Sequence, residues 1–210
     1  MDIGELIDRT ETGTVKALSE KPFVLTAMRL IRNSRVEEIM ASIPVAHEPA
    51  GEEPLSFTIP RIEVGGGFST QIVLQNPTDQ RIGGTINFFS SSGGLFPVEG
   101  MGLEVAYSIA VNGVSVWDSP VDANVPETGF AAVAGATRPI VTGMVRLNKR
   151  GTLISESGAG GGSVTDAWFP IDTYPSVVRL GRTVFRVTLA NGGAQPADLR
   201  LILYNPVGKK

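Results

Sequence analysis

The chain has 210 residues and no cysteine, and its 18 basic and 21 acidic residues give a net charge of −3 at neutral pH. The lack of cysteine excludes disulfides and thiolate chemistry. The balance of charges indicates no nucleic-acid groove and no contact with an anionic membrane surface, since both need concentrated basic residues. With 42% hydrophobic and 19% charged residues, the composition is typical of a folded protein.

Short strands joined by tight turns are predicted along the chain, because 25 Gly and 14 Pro accompany many β-branched and aromatic residues. Residues 3–7 are predicted to form one helical turn, and the polar, proline-rich residues 46–54 a loop. The predicted strands are 13–18, 23–31, 36–44, 55–59, 68–75, 82–90, 103–111, 114–117, 130–134, 139–147, 152–157, 164–169, 183–190 and 199–204. Asn112-Gly113 predicts a type I′ hairpin between two of these strands. No strand alternates with a long helical pattern, so the pattern favours antiparallel sheets.

The two halves of the chain repeat each other at a spacing of about 116 residues. Thr12-Gly13 returns as Thr128-Gly129, and Leu74-Gln75-Asn76 returns as Leu189-Ala190-Asn191. A repeat of that length is a whole small domain. We therefore predict two antiparallel β-sandwich units in tandem, an incomplete first copy at residues 1–95 and a second at 96–210. A competing division places one complete unit at about residues 59–170, between half units.

Several of these strand and turn motifs, taken in order, are similar to a repeated bacterial module. They are Ile59-Pro60, Gly65-Gly66-Gly67-Phe68-Ser69-Thr70, Ile72–Pro77, Gly84–Phe89, Asn112-Gly113-Val114, Thr128-Gly129-Phe130 and Leu153–Gly158. They resemble the tandem immunoglobulin-like β-sandwich repeats of large bacterial secreted or cell-surface proteins. The resemblance covers about nine tenths of the chain, and its motifs specify strands and turns rather than chemistry.

The resemblance implies export to the extracellular space or the cell surface. The first five residues show no basic region followed by an apolar core, so no secretory signal is visible. We therefore expect Met1 to lie inside a longer surface protein. No apolar run approaches the roughly 20 residues of a membrane-spanning helix, so membrane insertion is not expected.

One oxygen-rich loop is a candidate metal site. Its members are Asp118, Asp122, Asn124 and Glu127. Calcium takes six to eight oxygen ligands, which loop carboxylates and backbone carbonyls can supply. The spacing matches no EF-hand, and ordinary turn residues are the alternative explanation. No cofactor is expected.

The remaining candidates for chemistry are a histidine and a tryptophan. His47 is the only histidine, and it lies in the polar loop with Glu48, Glu52 and Glu53. Since no nucleophile elbow accompanies it, we interpret it as a solvated loop residue. Trp117 is a candidate ligand contact, because aromatic rings on a flat β face can stack against sugars. Packing in the core is the alternative for Trp117.

The sequence thus predicts a non-catalytic structural, adhesion or spacer module of a bacterial extracellular or surface protein. The alternative is a β-sandwich module that binds carbohydrate or protein. An incomplete unit leaves an unpaired strand edge, which invites a strand from another chain. Self-association by strand-edge pairing, or contact with other surface proteins, is therefore expected.

Overall fold

The computed structural model describes residues 15–45, 56–121, 124–160, 188, 190, 191, 198 and 200–202. In these ranges the chain forms ten strands and no helix. The strands are β1 (Ala27–Arg32), β2 (Glu38–Ile43), β3 (Ser56–Val64), β4 (Phe68–Gln75), β5 (Ile82–Ser90), β6 (Glu104–Ile109), β7 (Val114–Asp118), β8 (Glu127–Gly135), β9 (Ile140–Lys149) and β10 (Thr152–Ala159). Every pairing between them is antiparallel, so the prediction of an all-β, antiparallel protein is confirmed.

Three sheets contain these strands. β1 and β2 form a hairpin, here called the N-terminal hairpin. The β4 sheet has the order β10-β9-β4-β7, and the β5 sheet has the order β3-β8-β5-β6. The predicted helical turn at residues 3–7 and the predicted strand at 164–169 lie outside the described residues, as does most of the predicted strands at 183–190 and 199–204.

One apolar core joins the two four-stranded sheets. The β5 sheet contributes Ile59, Ile86 and Phe88, all 0% exposed, and the β4 sheet contributes Ile72 and Leu74, also 0% exposed. Because successive side chains of a strand point to opposite faces, each sheet presents alternate residues to this core. Burying such side chains contributes about 1.5–3 kcal/mol each, which makes the core the main source of stability.

The first predicted strands begin later in the structure than in the sequence pattern. β1 begins at Ala27 rather than at residue 23, and residues 15–18 form no strand. The apolar side chains before β1 are exposed, with Val24 at 97%, so they have no sheet to pack against. Val36, at a φ of 64°, lies in the turn that closes the N-terminal hairpin, and β2 therefore begins after it.

The predicted hairpin at Asn112-Gly113 is wrong. β6 pairs with β5 and β7 pairs with β4, so the two strands flanking this turn belong to different sheets. A type I′ turn needs positive φ at both central residues. Here Asn112 has a φ of 55°, whereas Gly113 does not adopt a positive φ. The Asn76 backbone N–H donates to the Gly113 carbonyl at 3.0 Å, so this turn is tied to the end of β4.

The glycines at 65–67 are required by the turn between β3 and β4. Gly66 and Gly67 have φ values of 59° and 89°. A Cβ on Gly66 would collide with the Pro126 ring, and one on Gly67 would collide with the carbonyl oxygen of Asn148. Both backbone conformation and close packing therefore demand residues without a side chain.

Strand pairing crosses the predicted boundary between residues 95 and 96. β3 pairs with β8, β4 pairs with β7 and β9, and β5 pairs with β6 and β8. Of the two predicted divisions, only the one at about residues 59–170 keeps most of these ladders within a single unit. The division of the whole chain into tandem units stays a prediction, because much of both ends lies outside the described residues.

Candidate functional site

Three of the predicted metal ligands lie in different parts of the structure: Asp118 and Glu127 belong to different sheets, and Asn124 lies before β8. Asp118 ends β7, and its Oδ1 accepts hydrogen bonds from Gln71 Nε2 at 2.9 Å and Arg146 at 3.0 Å. Glu127 begins β8 in the other sheet, and Asn124 uses its backbone carbonyl to accept the Gly66 N–H. Asp122 lies outside the described residues. The described ranges contain no group of three or more His, Asp or Glu side chains able to hold a metal ion.

The structure places Trp117 against the core. Trp117 is partly buried, and its partner across the ladder is Ile72, which is 0% exposed. Its indole lies edge to face with the Tyr107 ring, with centroids 6.5 Å apart and planes at 68°. This contact is the core packing that the sequence left open as the alternative. His47 lies outside the described residues, as do Glu48, Glu52 and Glu53.

A polar network that the sequence analysis missed joins the N-terminal hairpin to the β4 sheet. Arg29 of β1 donates from Nε to Glu156 Oε2 at 2.8 Å, and its second guanidinium nitrogen bonds Oε1. Arg146 of β9 donates from Nε to the same Oε1 at 2.8 Å, and it also reaches Asp118. The Glu156 side chain is 0% exposed. The sequence signal for it was a single charged residue, Arg29, within the predicted strand at residues 23–31.

The charges of this network suit a structural role, in which they hold the hairpin against the β4 sheet, rather than a role in a reaction. Burial and the neighbouring Arg146 lower the pKa of Arg29, whereas Asp118 raises it. An arginine stays charged near neutral pH even so, because its ordinary pKa lies far above neutrality. Each charged group of the network is paired with a group of opposite charge, so none of the four is left unpaired to act as a general acid or base.

The rest of the hairpin contact is made by short polar side chains. Asn33 Nδ2 donates to the Leu153 carbonyl at 3.0 Å, and the hydroxyls of Ser34 and Thr152 lie 3.0 Å apart. Gly158 lies against the Pro44 ring, where a Cβ would collide. The hairpin is therefore fixed along the length of β10.

Three buried polar side chains inside the two-sheet unit, Thr70, Asn76 and Ser119, bond to backbone groups. The Thr70 hydroxyl donates to the Glu63 carbonyl and accepts from the Glu63 N–H, both at 2.9 Å. The Thr70 N–H donates to Ser119 Oγ at 2.8 Å. Asn76, 0% exposed, donates from Nδ2 to the carbonyls of Ile109 and Ala110. In the described residues every buried side-chain nitrogen or oxygen has a partner.

A pocket of about 330 Å³ opens beside the outer face of the β5 sheet. It is lined by Pro60, Ser91, Ser92, Gly93, Thr128, Gly129, Phe130, Thr188, Ala190 and Asn191. Phe130 faces away from the core, since its neighbours Gly129 and Ala131 are buried and successive residues of a strand face opposite sides. Its ring stacks on Phe89, with centroids 5.0 Å apart and planes at 11°. This pocket has no signal in the sequence, because its walls come from four separate segments.

The described part of the chain contains no helix long and apolar enough to cross a bilayer. No protein-family model, curated protein or solved structure matches this chain.

Proposed function

We propose that the protein is a non-catalytic structural module, an immunoglobulin-like β-sandwich that acts as a spacer or adhesion unit in a bacterial extracellular or surface protein. The observation that carries the proposal is that buried polar side chains of the two-sheet unit form hydrogen bonds to the backbone. Thr70, Asn76 and Ser119 all bond backbone groups of neighbouring strands and turns. Such bonds hold loops and strand ends in place, and they use the groups that a reaction would otherwise need.

A spacer must also resist bending, and the contacts of the N-terminal hairpin support that part of the proposal. The pair between Arg29 and Glu156, with Asn33 and Ser34 farther along, ties the hairpin to β10 at several points. A hairpin attached at one point would swing, whereas one attached along its length moves with the sheet. The bacterial surface location rests on the sequence resemblance.

Spin labels can test this rigidity, because the chain has no cysteine and engineered cysteines are labelled uniquely. Ser42→Cys on the hairpin is paired with Glu104→Cys on β6, both at exposed positions. Lys149→Cys with Glu104→Cys is the control pair, since both residues lie on sheets that share the core. We expect the two pairs of spin labels to give equally narrow distance distributions in double electron–electron resonance. A broad or multiple distribution for the hairpin pair alone would rule out a rigid spacer.

Self-association by strand-edge pairing belongs to the same proposal. Among the described strands, β7 and β10 end one sheet, and β3 and β6 end the other. Exposed edges carry unpaired N–H and C=O groups that a second chain can use. We expect the mass from light scattering to rise above 22.2 kDa as concentration increases. A strictly monomeric mass at high concentration contradicts edge pairing and leaves the spacer role intact.

A second candidate function is a binding module, and the pocket beside Phe130 favours it. Its mixed apolar and polar lining is typical of small-molecule sites.

A further inference from the structure

We propose that the pocket beside Phe130 binds neutral carbohydrate, with a sugar ring against the Phe130 ring and sugar hydroxyls against the polar lining. The inference goes beyond the structural role and does not depend on it. It gives the second candidate function a site and a class of ligand.

The apolar wall of the pocket is held in one position. The Phe130 ring stacks on Phe89, so this contact covers one of its faces. What it offers the pocket is the remaining face and edge. Pro60, on the neighbouring strand β3, lines the same pocket with a ring whose backbone angle is fixed. Flat, rigid apolar surfaces of this kind suit the C–H face of a sugar ring, because little conformational freedom is lost on binding.

The polar side of the pocket consists of groups that both donate and accept hydrogen bonds. The polar residues of the lining are Ser91, Ser92, Thr128 and Thr188, which carry hydroxyls, and Asn191, which carries an amide. Ser92 already shares a hydrogen bond of 2.8 Å with Ser90, and a hydroxyl has capacity for more than one bond. Sugar hydroxyls have the same dual character, so they match this set without requiring a fixed direction for each bond.

The lack of charge in the lining favours neutral sugars over acidic ones. None of the ten residues that line the pocket carries an ionisable side chain. A phosphate, sulfate or uronate group would therefore lose its hydration without gaining an opposite charge, which is costly. The volume of about 330 Å³ lies at the lower end of the range of roughly 300–1,000 Å³ for ligand pockets. We expect one or two neutral sugar units to be contacted.

The test uses the full chain on an array of neutral and acidic glycans, followed by calorimetric titration with the neutral glycan that binds best. We expect saturable binding that is nearly independent of salt, because no charged group takes part. Phe130→Leu keeps an apolar side chain but removes the aromatic face, and it should weaken binding about 3- to 10-fold. Phe23→Leu is the matched control, since Phe23 is 53% exposed and does not line the pocket. Its affinity should equal that of the unchanged protein.

Thr128→Val supplies a second variant in case Phe130→Leu fails to fold, because it removes one hydroxyl without changing the shape of the side chain. It too should lower the affinity several-fold. An empty array, binding of acidic glycans alone, or affinity unchanged in both pocket variants would overturn the proposal. None of these results would contradict the rigid structural role, which the spin-label distances test separately.

Discussion

Arg29 on β1 and Glu156 on β10 form a doubly hydrogen-bonded ion pair across 127 positions of sequence. The carboxylate of this pair is fully buried, and a second arginine, Arg146, bonds one of its oxygens. The pair therefore connects the N-terminal hairpin to the edge of the β4 sheet through charges that are largely removed from water. Removing one partner of such a pair strongly destabilises the folded protein, because the charge of the other partner stays buried.

Replacing Arg29 should lower the free energy of unfolding, and we expect Arg29→Met to cost about 2 kcal/mol in urea denaturation. This is below the roughly 3–5 kcal/mol seen for fully buried pairs. The reasons are that the Arg29 side chain is 34% exposed and that Glu156 keeps its bond to Arg146. Arg32→Met is the control, because the Arg32 pair with Glu38 is exposed and should contribute less than about 1 kcal/mol. Equal losses in the two variants would contradict a special role for Arg29.

Removing the buried hydroxyl of Thr70 should destabilise the β3–β4 connection. Thr70→Val keeps the shape of the side chain but leaves the Glu63 N–H without its acceptor. The expected loss is about 1–3 kcal/mol in the free energy of unfolding. Thr142→Val, on the outer face of β9 and only partly buried, is the matched control and should change stability little. If both variants unfold at the same urea concentration, the Thr70 bonds do not contribute as argued.

A side chain at Gly67 should lower stability for two reasons, its left-handed backbone conformation and a collision with Asn148. A pair of variants can separate these two effects. Gly93 also has a positive φ, 88°, but a Cβ there meets no atom within 4 Å. Gly93→Ala should therefore cost only the strain of the left-handed conformation, about 1–2 kcal/mol. Gly67→Ala adds a collision with the Asn148 carbonyl and should cost clearly more, as measured by thermal unfolding. Similar melting temperatures would show that the backbone yields at Gly67.

Tyr107 should make the protein less stable at alkaline pH. Burial raises the pKa of its hydroxyl above the ordinary value of 10.0. Since the folded state holds this proton more tightly, the contribution to stability is complete below pH 10 or so and is lost as pH rises through the folded-state pKa. We expect the free energy of unfolding to fall in that window, and less steeply in Tyr107→Phe.

The same variant should lose about 1 kcal/mol at neutral pH, because Tyr107 donates a hydrogen bond of 3.2 Å to the Ala134 carbonyl. Urea titrations over a pH series check both effects. Parallel curves for the two proteins across the alkaline range would refute the assignment to Tyr107.

Strand positions were predicted best where one face of a strand is buried. β4 and β5 have the predicted bounds of residues 68–75 and 82–90. In β5 the buried side chains Ile82, Ile86 and Phe88 alternate with more exposed ones, and a period of two is visible in sequence without knowing the partner strand. At Asn112-Gly113 the same local reasoning failed, because the hydrogen bond from Asn76 comes from a strand end more than 30 residues away in sequence.

The candidate sites depended even more on contacts that are remote in sequence. Trp117 could be a ligand contact or a core residue until its position opposite Ile72 was known. Likewise Asp118 reads as a loop carboxylate, yet it accepts bonds from Gln71 and Arg146. Neither partner lies near it in the chain.

Composition, the alternation of apolar residues and the lack of a long helical pattern were enough to predict a β protein with antiparallel strands. Alternation depends only on neighbours one or two residues apart, so it can be recognised without the partner strand. Only the tertiary structure decided which strands share a sheet, which charges meet, and that Phe130 and Pro60 line one pocket. The physical reason is that sheet pairing and burial bring together residues far apart in sequence, and their mutual fit leaves no local pattern.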